Sequence, residues 1–546
     1  MKLKRTVLGP ALVAGVAFIS GGWLLQRGVA EQTGFFQNSR LFDEVLQAIS
    51  TRYVDEHPNA DLYRMAVDGL LRELGDPHTS FMSAEEFNNL RIQTTGEYGG
   101  LGIEIEQRDG WITVLSALPD TPAERAGLMA GDRIIEVEGR PTRGWTTDDA
   151  IKVLRGPRGQ AVDMRIARVG VDEPVPFRIV RAEIHIQSVP AAYMVGDGVG
   201  LVQLRVFSET STEELTAAIE KLRGQGMQRM ILDLRGNPGG LLDQGISVSD
   251  MFLKRGDPIS ETRSRDTRES RTYRAARNEQ FPDLPLVVLV DGYSASASEI
   301  VAGALQDNDR GLVVGSPSFG KGSVQTLLPL SGGNFLKMTT GRWYTPVGRS
   351  IQKDHARDGD PVALLEDQAI TEDTPLPTAA PEDTVARRPY QTTGGRVVFG
   401  GGGIVPDLVV DQDTVTDTEK EFFVAVSRAG SAYSNVLSRV ALNHTRQNPN
   451  LRQDFPITPA LRQEFLSQLR GAGVEVTAEQ FEGARRLIDR GLEFEIALYK
   501  FGRPAAIQRR NASDTVVRTA AELLRSAANQ QALFRSAEAR AQAARS

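Results

Sequence analysis

The stretch VVLVDGYSASASEIVAGALQD, Val287 to Asp307, joins an unbroken apolar run to a helix-like segment through a glycine turn that carries three serines on alternate positions. A short apolar run bounded by turn residues is the pattern of a strand buried on both faces. Similar runs occur in GVGLVQL (198–204), RMILDLRG (229–236) and RGLVVG (310–315), and amphipathic stretches such as TEELTAAIEKLRGQG (212–226) separate them. Buried strands alternating with helices imply a layered α/β domain, which we place at 182–412. Within it, 353–396 is acidic, rich in Pro and Thr and poor in apolar periodicity, the composition of a flexible surface insertion.

A chain of 546 residues is too long for one core, because single cores stop growing near about 250–300 residues. The multi-domain α/β organisation expected is a segment 1–30, an N-terminal helical region 31–95, a domain of short strands 96–181, the α/β core 182–412 and a C-terminal helical region 413–546. Lys2, Lys4 and Arg5 precede the uncharged run Val7–Leu25, the order of an export signal or membrane anchor, so the remainder is expected in the periplasm or another extracytoplasmic space. GVA at 28–30 only loosely resembles a cleavage site, which favours an uncleaved anchor. In 31–95, Leu41, Val45 and Ile49, then Leu62, Met65, Gly69 and Leu70, recur at helical spacing and are expected to pack. Phe422 and Val426, Leu461, Phe465 and Leu469, and Phe481, Ala484, Leu487 and Ile488 read likewise as core stripes of the C-terminal region.

Composition removes several functions. A net charge of −7 gives nucleic acid no broad basic face. With no cysteine there is no disulfide, thiolate nucleophile or cysteine metal site, and the five scattered histidines lack a metal-ligand spacing, so no metal or other cofactor is expected. His78, after the Asp76–Pro77 turn, is expected to tie down a loop.

A serine hydroxyl is a weak nucleophile until a base takes its proton, and it is well placed where a buried strand ends and a helix begins, with backbone amides facing outward. Read alone, the serines serve equally as a helix cap, with Glu299 favouring the helix start. Lys321 of GSPSFGKGSVQ (315–325) bears on the choice. It sits between two glycines after another buried run, where an ammonium is costly to hold, and a lysine that sheds its proton becomes a base for serine.

Between 98 and 169, YGGLGIEI (98–105), TPAERAGL (121–128) and GDRIIEVEG (131–139), with the helix-like TTDDAIKVLRG (146–156), resemble a PDZ domain. Gly100, Leu101, Gly102 and Ile103 would form a turn whose amides capture a peptide's terminal carboxylate while the following strand edge pairs with its backbone.

From about Phe36 to Asp407 the chain also carries, in order, GDPHTSF (75–81), the PDZ segment, LDLRGNPGGLL (232–242), GYSASASEIVAGALQD (292–307), GSPSFGKGSVQ, YTPVGRSIQ (344–352) and GGIVPD (402–407). This set resembles the carboxy-terminal processing proteases, a serine-lysine peptidase family that includes the tail-specific enzymes. The resemblance implies Ser296 as nucleophile, Lys321 as general base and Gln325, one helical turn further on, as the residue orienting the lysine. It implies an oxyanion hole from Gly239 or Gly240 with Ala297, and a supporting role for Asp307. Tyr293 departs from the Asn, Glu and Gly that the family often carries before the serines. The expected function is a serine endopeptidase that binds substrate C-terminal tails through its PDZ domain, with protein substrates, an adaptor protein, the membrane and further copies of the chain as candidate partners. A catalytically inactive PDZ scaffold is the rival. A histidine-dependent protease with an appended PDZ would place His and Asp before the serine and the PDZ after it, and this chain has neither order.

Overall fold

A computed structural model describes residues 38–168, 170–353, 388–410 and 415–545. The N-terminal basic and apolar segment therefore lies outside the described residues, as does 354–387. Among the described residues no helix is long and apolar enough to cross a membrane. The chain divides into two compact units.

The described part of the first unit comprises 38–82 and Leu327–Met338. It holds helix α1 (38–52), helix α2 (Asn59–Glu73) and a strand, Ser80–Met82, paired antiparallel with 335–337. His78 is buried in the loop before that strand, where Asp76 accepts hydrogen bonds from the His78 N–H and the Thr79 hydroxyl. The packing expected of the helical stripes is not seen here. Leu62 is buried, but Leu41, Val45, Ile49, Met65 and Leu70 stay exposed, at 60% for Leu41 and 65% for Leu70. Two short helices cannot enclose a core by themselves.

The second unit, Ser83–Thr326 with Thr339–Ser546, begins its described part with helix α3 (Ala84–Thr95), followed by a five-strand path Ile103–Arg108, Trp111–Ala117, Arg133–Val137, Ala161–Ala167 and Val175–Val180. We label its first strand β1 (Ile103–Arg108) and the helix beside it α4 (Thr147–Leu154). Glu97–Gly100 and Ala182–His185 pair antiparallel where the chain enters and leaves this domain.

The α/β core is built on a six-stranded sheet in the order β2 (Ala191–Gly196), β3 (Val199–Gln203), β4 (Arg229–Asp233), β5 (Leu286–Val290), β6 (Leu312–Gly315) and β7 (Leu408–Val409). Only the β2–β3 pair is antiparallel. Every residue of β3 and β5 is buried, as expected for a sheet covered on both sides. Successive side chains leave opposite faces. Leu286, Val288 and Val290 join one cluster with helices α5 (Ser211–Gly224), α6 (Leu242–Asp250) and α7 (Ala297–Asp307). Val287 and Leu289 join another, whose second layer comes from the end of the chain.

The C-terminal helices are α8 (Asp417–Arg428), α9 (Ala432–Gln447), α10 (Pro459–Gly471), α11 (Ala478–Gly483), α12 (Arg485–Phe501), α13 (Arg503–Ala512), α14 (Thr515–Ser526) and α15 (Gln530–Arg545). Helices α8 to α13 enclose their own core, including Phe422, Val426, Phe465, Leu469, Phe481 and Ile488. Helix α14 turns Val516, Val517, Ala520, Ala521, Leu523 and Leu524 onto the sheet, so the α/β layering is completed from residues beyond 412. The insertion also begins and ends differently from the composition reading. Lys353 bonds Gly320, and 389–391 pair with 397–399 in a hairpin whose Arg396 holds Asp309 and Asp407. Backbone and ionic partners, which composition does not register, fix those flanks.

Candidate active site

Strand β5 ends at Val290 and α7 begins at Ala297, and the turn between them separates the three serines by environment. Ser294 and Ser298 are fully buried, and their hydroxyls donate to the carbonyls of Leu234 (2.9 Å) and Asn237 (2.9 Å). Ser296 is partly exposed and sits at φ 52°, ψ −112°, a conformation that costs a non-glycine residue about 1–3 kcal/mol. Strain of that kind lifts a side chain out of a strand-to-helix turn and presents it at the positive end of the helix dipole. Asp291 fastens the turn to the LDLRGNPGG segment by accepting from the N–H groups of Gly236 (3.0 Å), Tyr293 (3.0 Å) and Ser294 (3.1 Å). Burial pushes the Asp291 carboxyl above its usual range.

Glu299, which the sequence marks only as a helix-start acid, is fully buried and joins the serine turn to the Lys321 loop. Its Oε2 accepts from the N–H of Ser296 (2.8 Å) and of Lys321 (2.9 Å). Its Oε1 accepts from the Ser318 hydroxyl (2.6 Å) and the Gly320 N–H (2.7 Å). Loss of water pushes the Glu299 carboxyl up to about 7, against the pull of those four donors. One carboxylate oxygen thus holds the backbones of both residues that the resemblance pairs.

Lys321 is half-buried. Its carbonyl accepts from the buried Trp343 indole at 3.0 Å, Gly320 O accepts from Lys353 N–H at 2.9 Å, and Gly322 N–H donates to Gln352 at 3.0 Å. Gly320, at φ 95°, has no room for a side chain, since a Cβ there would lie 2.7 Å from that of Lys353. Gln325 is not a helical turn away. It lies on the strand Ser323–Pro329 and donates to the Ser323 hydroxyl at 2.9 Å. The FGKG segment runs into β-structure, where residues two apart, not four, share a face most closely.

Asp307 closes the far end of α7. Its carboxylate and the Arg349 guanidinium form an ion pair with both side chains fully buried, and Asp307 also accepts from Val347 N–H at 3.2 Å. Burial raises the Asp307 carboxyl while Arg349 pulls it down. The pair braces the 345–353 loop, whose Gln352 and Lys353 flank Lys321.

Gly239 packs so closely on the serine turn that a Cβ would lie 2.8 Å from Ser296 Cβ. Its N–H donates to Asn237 Oδ1 at 2.9 Å. Among the described residues no acceptor is found for the N–H of Gly240 or of Ala297. In the domain that holds β1, Gly100, Leu101, Gly102 and Ile103 line a 140 Å³ groove with Ile105, Ile151, Leu154 and Arg155. The carbonyls of Leu101 and Gly102 are tied inward by Ala123 and Leu118, while the N–H groups of Leu101 and Gly102 have no acceptor among the described residues. Arg155, unremarked in the sequence, lies over the Tyr98 ring at 4.4 Å, and the groove opens beside it into a 910 Å³ cleft between α3 and α4.

Comparison with known proteins places this arrangement. The profile of peptidase family S41 matches residues 198–358, and that of the PDZ domain matches 113–168. The carboxy-terminal-processing protease of Bartonella bacilliformis is 42% identical over 326 residues, covering 59% of this chain and 74% of the relative. The carboxy-terminal processing protease CtpA of Bacillus subtilis is 33% identical over 355 residues, covering 65% and 75%. Among solved structures, a photosystem II D1 C-terminal processing protease is similar at 31% identity with a TM-score of 0.33, covering 57% of this chain and 89% of that one. The chain therefore belongs to the carboxy-terminal-processing serine proteases of peptidase family S41, with a PDZ domain ahead of its α/β core and helical regions on either side.

Proposed function

We propose that this protein is an exported, membrane-tethered endopeptidase that seizes an apolar C-terminal tail in the 100–105 groove and cuts the same substrate with Ser296 and Lys321. The observation that carries this reading is the Glu299 carboxylate, one oxygen of which accepts from both backbones and so holds the partly exposed hydroxyl and the lysine on one short frame. The Lys321 amine takes the Ser296 proton as Oγ attacks the scissile carbonyl. The N–H groups of Ala297 and Gly240, which have no other acceptor among the described residues, receive the oxyanion. Lys321 returns the proton to the departing amine, then takes a proton from the water that hydrolyses the acyl-enzyme and gives it back to Ser296 Oγ. Gln325 and Asp307 contribute by holding the lysine strand and the neighbouring loop. Ser296→Ala and Lys321→Ala should each abolish release of new N-termini from a tailed, unfolded substrate while leaving the thermal transition in place. Cleavage by Ser296→Ala would refute the assignment and leave a tail-binding scaffold.

In the groove, the free N–H groups of Leu101 and Gly102 suit a terminal carboxylate, and the Ile103, Ile105, Ile151 and Leu154 side chains suit an apolar last residue. Placement outside the cytoplasm rests on Lys2, Lys4 and Arg5 before Val7–Leu25, and is tested by protease protection in intact cells. Self-association rests on α1 and α2, where Phe42, Val45 and Ile49, and Tyr63, Val67, Leu70 and Leu74, repeat at three- and four-residue spacing while exposed.

A further inference from the structure

Strand β1 has two faces, as the two-residue period requires. Ile103 and Ile105 line the groove, whereas Glu104 and Arg108 carry charges to the C-terminal helices and Glu106 pairs with Arg108. Glu104 pairs with Arg503, the first residue of α13, at 2.8 Å. The Arg108 side chain is largely buried, donates to the Tyr499 hydroxyl, pairs with Glu106 at 2.8 Å and stands 3.8 Å from Glu495 of α12. Glu495 in turn accepts from Ser438 of α9 at 3.0 Å. Gly131 of the PDZ domain meets Leu442 of α9 so closely that a Cβ would lie 2.3 Å from the leucine Cδ2. The PDZ domain is therefore bonded or packed to the C-terminal region at three separate places, two of them on the back of the tail-reading strand.

The other end of the same segment is fastened to the catalytic core. Helix α13 has ten residues and so spans about 15 Å. At its far end Asn511 donates to the Tyr193 hydroxyl of β2 at 3.0 Å. Just beyond it, Asp514 pairs at 2.9 Å with Arg235, whose guanidinium also forks onto Asp233 at 2.8 Å. Arg235 opens the Gly236–Gly240 turn that packs on Ser296. From Asp514, which caps α14 through the Val517 N–H, the chain runs straight into the helix that seals the second face of the sheet. One short helix thus runs from the back of the strand that reads the tail to the back of the turn beside the nucleophile.

We propose that α13 is a strut that fixes the separation between the tail groove and Ser296, and so sets how many residues from its C-terminus a substrate is cut. This inference rests on the tail-capture reading above and specifies it. An extended substrate advances about 3.3 Å per residue, so a strut that yields by one such step moves the cut by one position. Arg503 and Asp514 are positioning residues, the first acting through β1 and the second through Arg235.

The test is the position of the cut. Full-length enzyme digests an unfolded polypeptide of known sequence ending in an apolar tail, and mass spectrometry maps the new termini. The unmodified enzyme cuts within a narrow window measured from the C-terminus. In Arg503→Ala/Asp514→Asn that window widens or moves by at least one residue, and Arg503→Lys, which keeps the charge, restores it in part. An unchanged window in the double variant, with the tail peptide binding as before, overturns the strut. The chain contains no native cysteine, so Glu104→Cys/Arg503→Cys can be bridged cleanly with a short bis-maleimide. The bridged enzyme should keep both turnover and window, and loss of turnover on bridging would show that β1 must leave the strut. If the unmodified enzyme cuts identically with and without the tail, the tail-capture reading fails instead, so the two failures are told apart.

Discussion

Ser294 and Ser298 spend their hydroxyls on the carbonyls of Leu234 and Asn237, which docks the serine turn on the LDLRGNPGG turn and leaves Ser296 as the hydroxyl that faces outward. The decisive neighbour at this scale is Glu299. With a folded pKa of about 7 against an ordinary 4.5, this buried acid keeps its proton more tightly in the native state than in the unfolded chain. Its contribution to stability is therefore greatest below pH 4.5 and is lost as pH rises through 7, a swing of about 3 kcal/mol. Glu299→Gln should remove that swing, so that urea titrations between pH 4.5 and 7 show the parent losing stability relative to the variant. Parallel curves would show that the carboxyl is ionised throughout. Activity of the variant should fall at least about tenfold, because an amide cannot accept from all four donors, and one misplaced hydrogen bond costs on the order of 1–3 kcal/mol.

At the scale of elements, α7 works from both ends. Ser296 caps its start, Glu299 lies in its first turn, and its last residue, Asp307, grips Arg349 and through it the loop that flanks Lys321. Removing one member of a fully buried pair strands the other charge, so Asp307→Ala should cost about 3–5 kcal/mol, read as a lower urea midpoint. Asp307→Leu/Arg349→Met should recover much of the stability yet not the activity, because the loop loses its bonds to Gln306 and Phe399 along with the charge. Recovery of both would make the pair dispensable for the site. The spacing of apolar runs and glycines located β5, the serine turn and α7 in the sequence, and the family motifs pointed to Ser296 and Lys321. Gln325 lies on a strand and not a helical turn from Lys321, because a four-residue separation has no structural meaning until the element is known. The sequence marks Glu299 only as a helix-start acid and does not single out Arg155, because nothing local marks an acid as buried or an arginine as lining a groove.

Across the whole molecule, the C-terminal quarter has two occupations. Helices α8 to α13 keep their own core and brace the PDZ strand, while α14 and α15 close the second face of the catalytic sheet. A chain truncated after Asp514 should lose the cooperative unfolding transition of the core, since Leu201, Ile231, Val287 and Leu289 would face water; a sharp calorimetric transition in that truncation would contradict the layering. In the first unit the exposed seams of α1 and α2 lead to a different expectation. Multi-angle light scattering should find more than one copy per particle, and Val45→Glu/Leu70→Glu should reduce it to a single copy without changing the turnover of small peptides. A single-copy parent would leave those seams to some other partner.

What the sequence determined by itself was local and periodic: buried strands alternating with helices, the glycine turns, the PDZ strand pattern, the helical stripes beyond 413, and a set of short motifs whose order pointed to one peptidase family. These are legible because each depends on residues within a few positions of one another. The tertiary structure alone decided which serine is exposed, which carboxylate loses its water and ties Ser296 to Lys321, where the last helices pack, and how Arg503 and Asp514 connect two domains. Those outcomes depend on burial and on partners up to hundreds of residues away, such as Arg235 and Asp514, and burial is a property of the folded surroundings that no stretch of chain carries on its own.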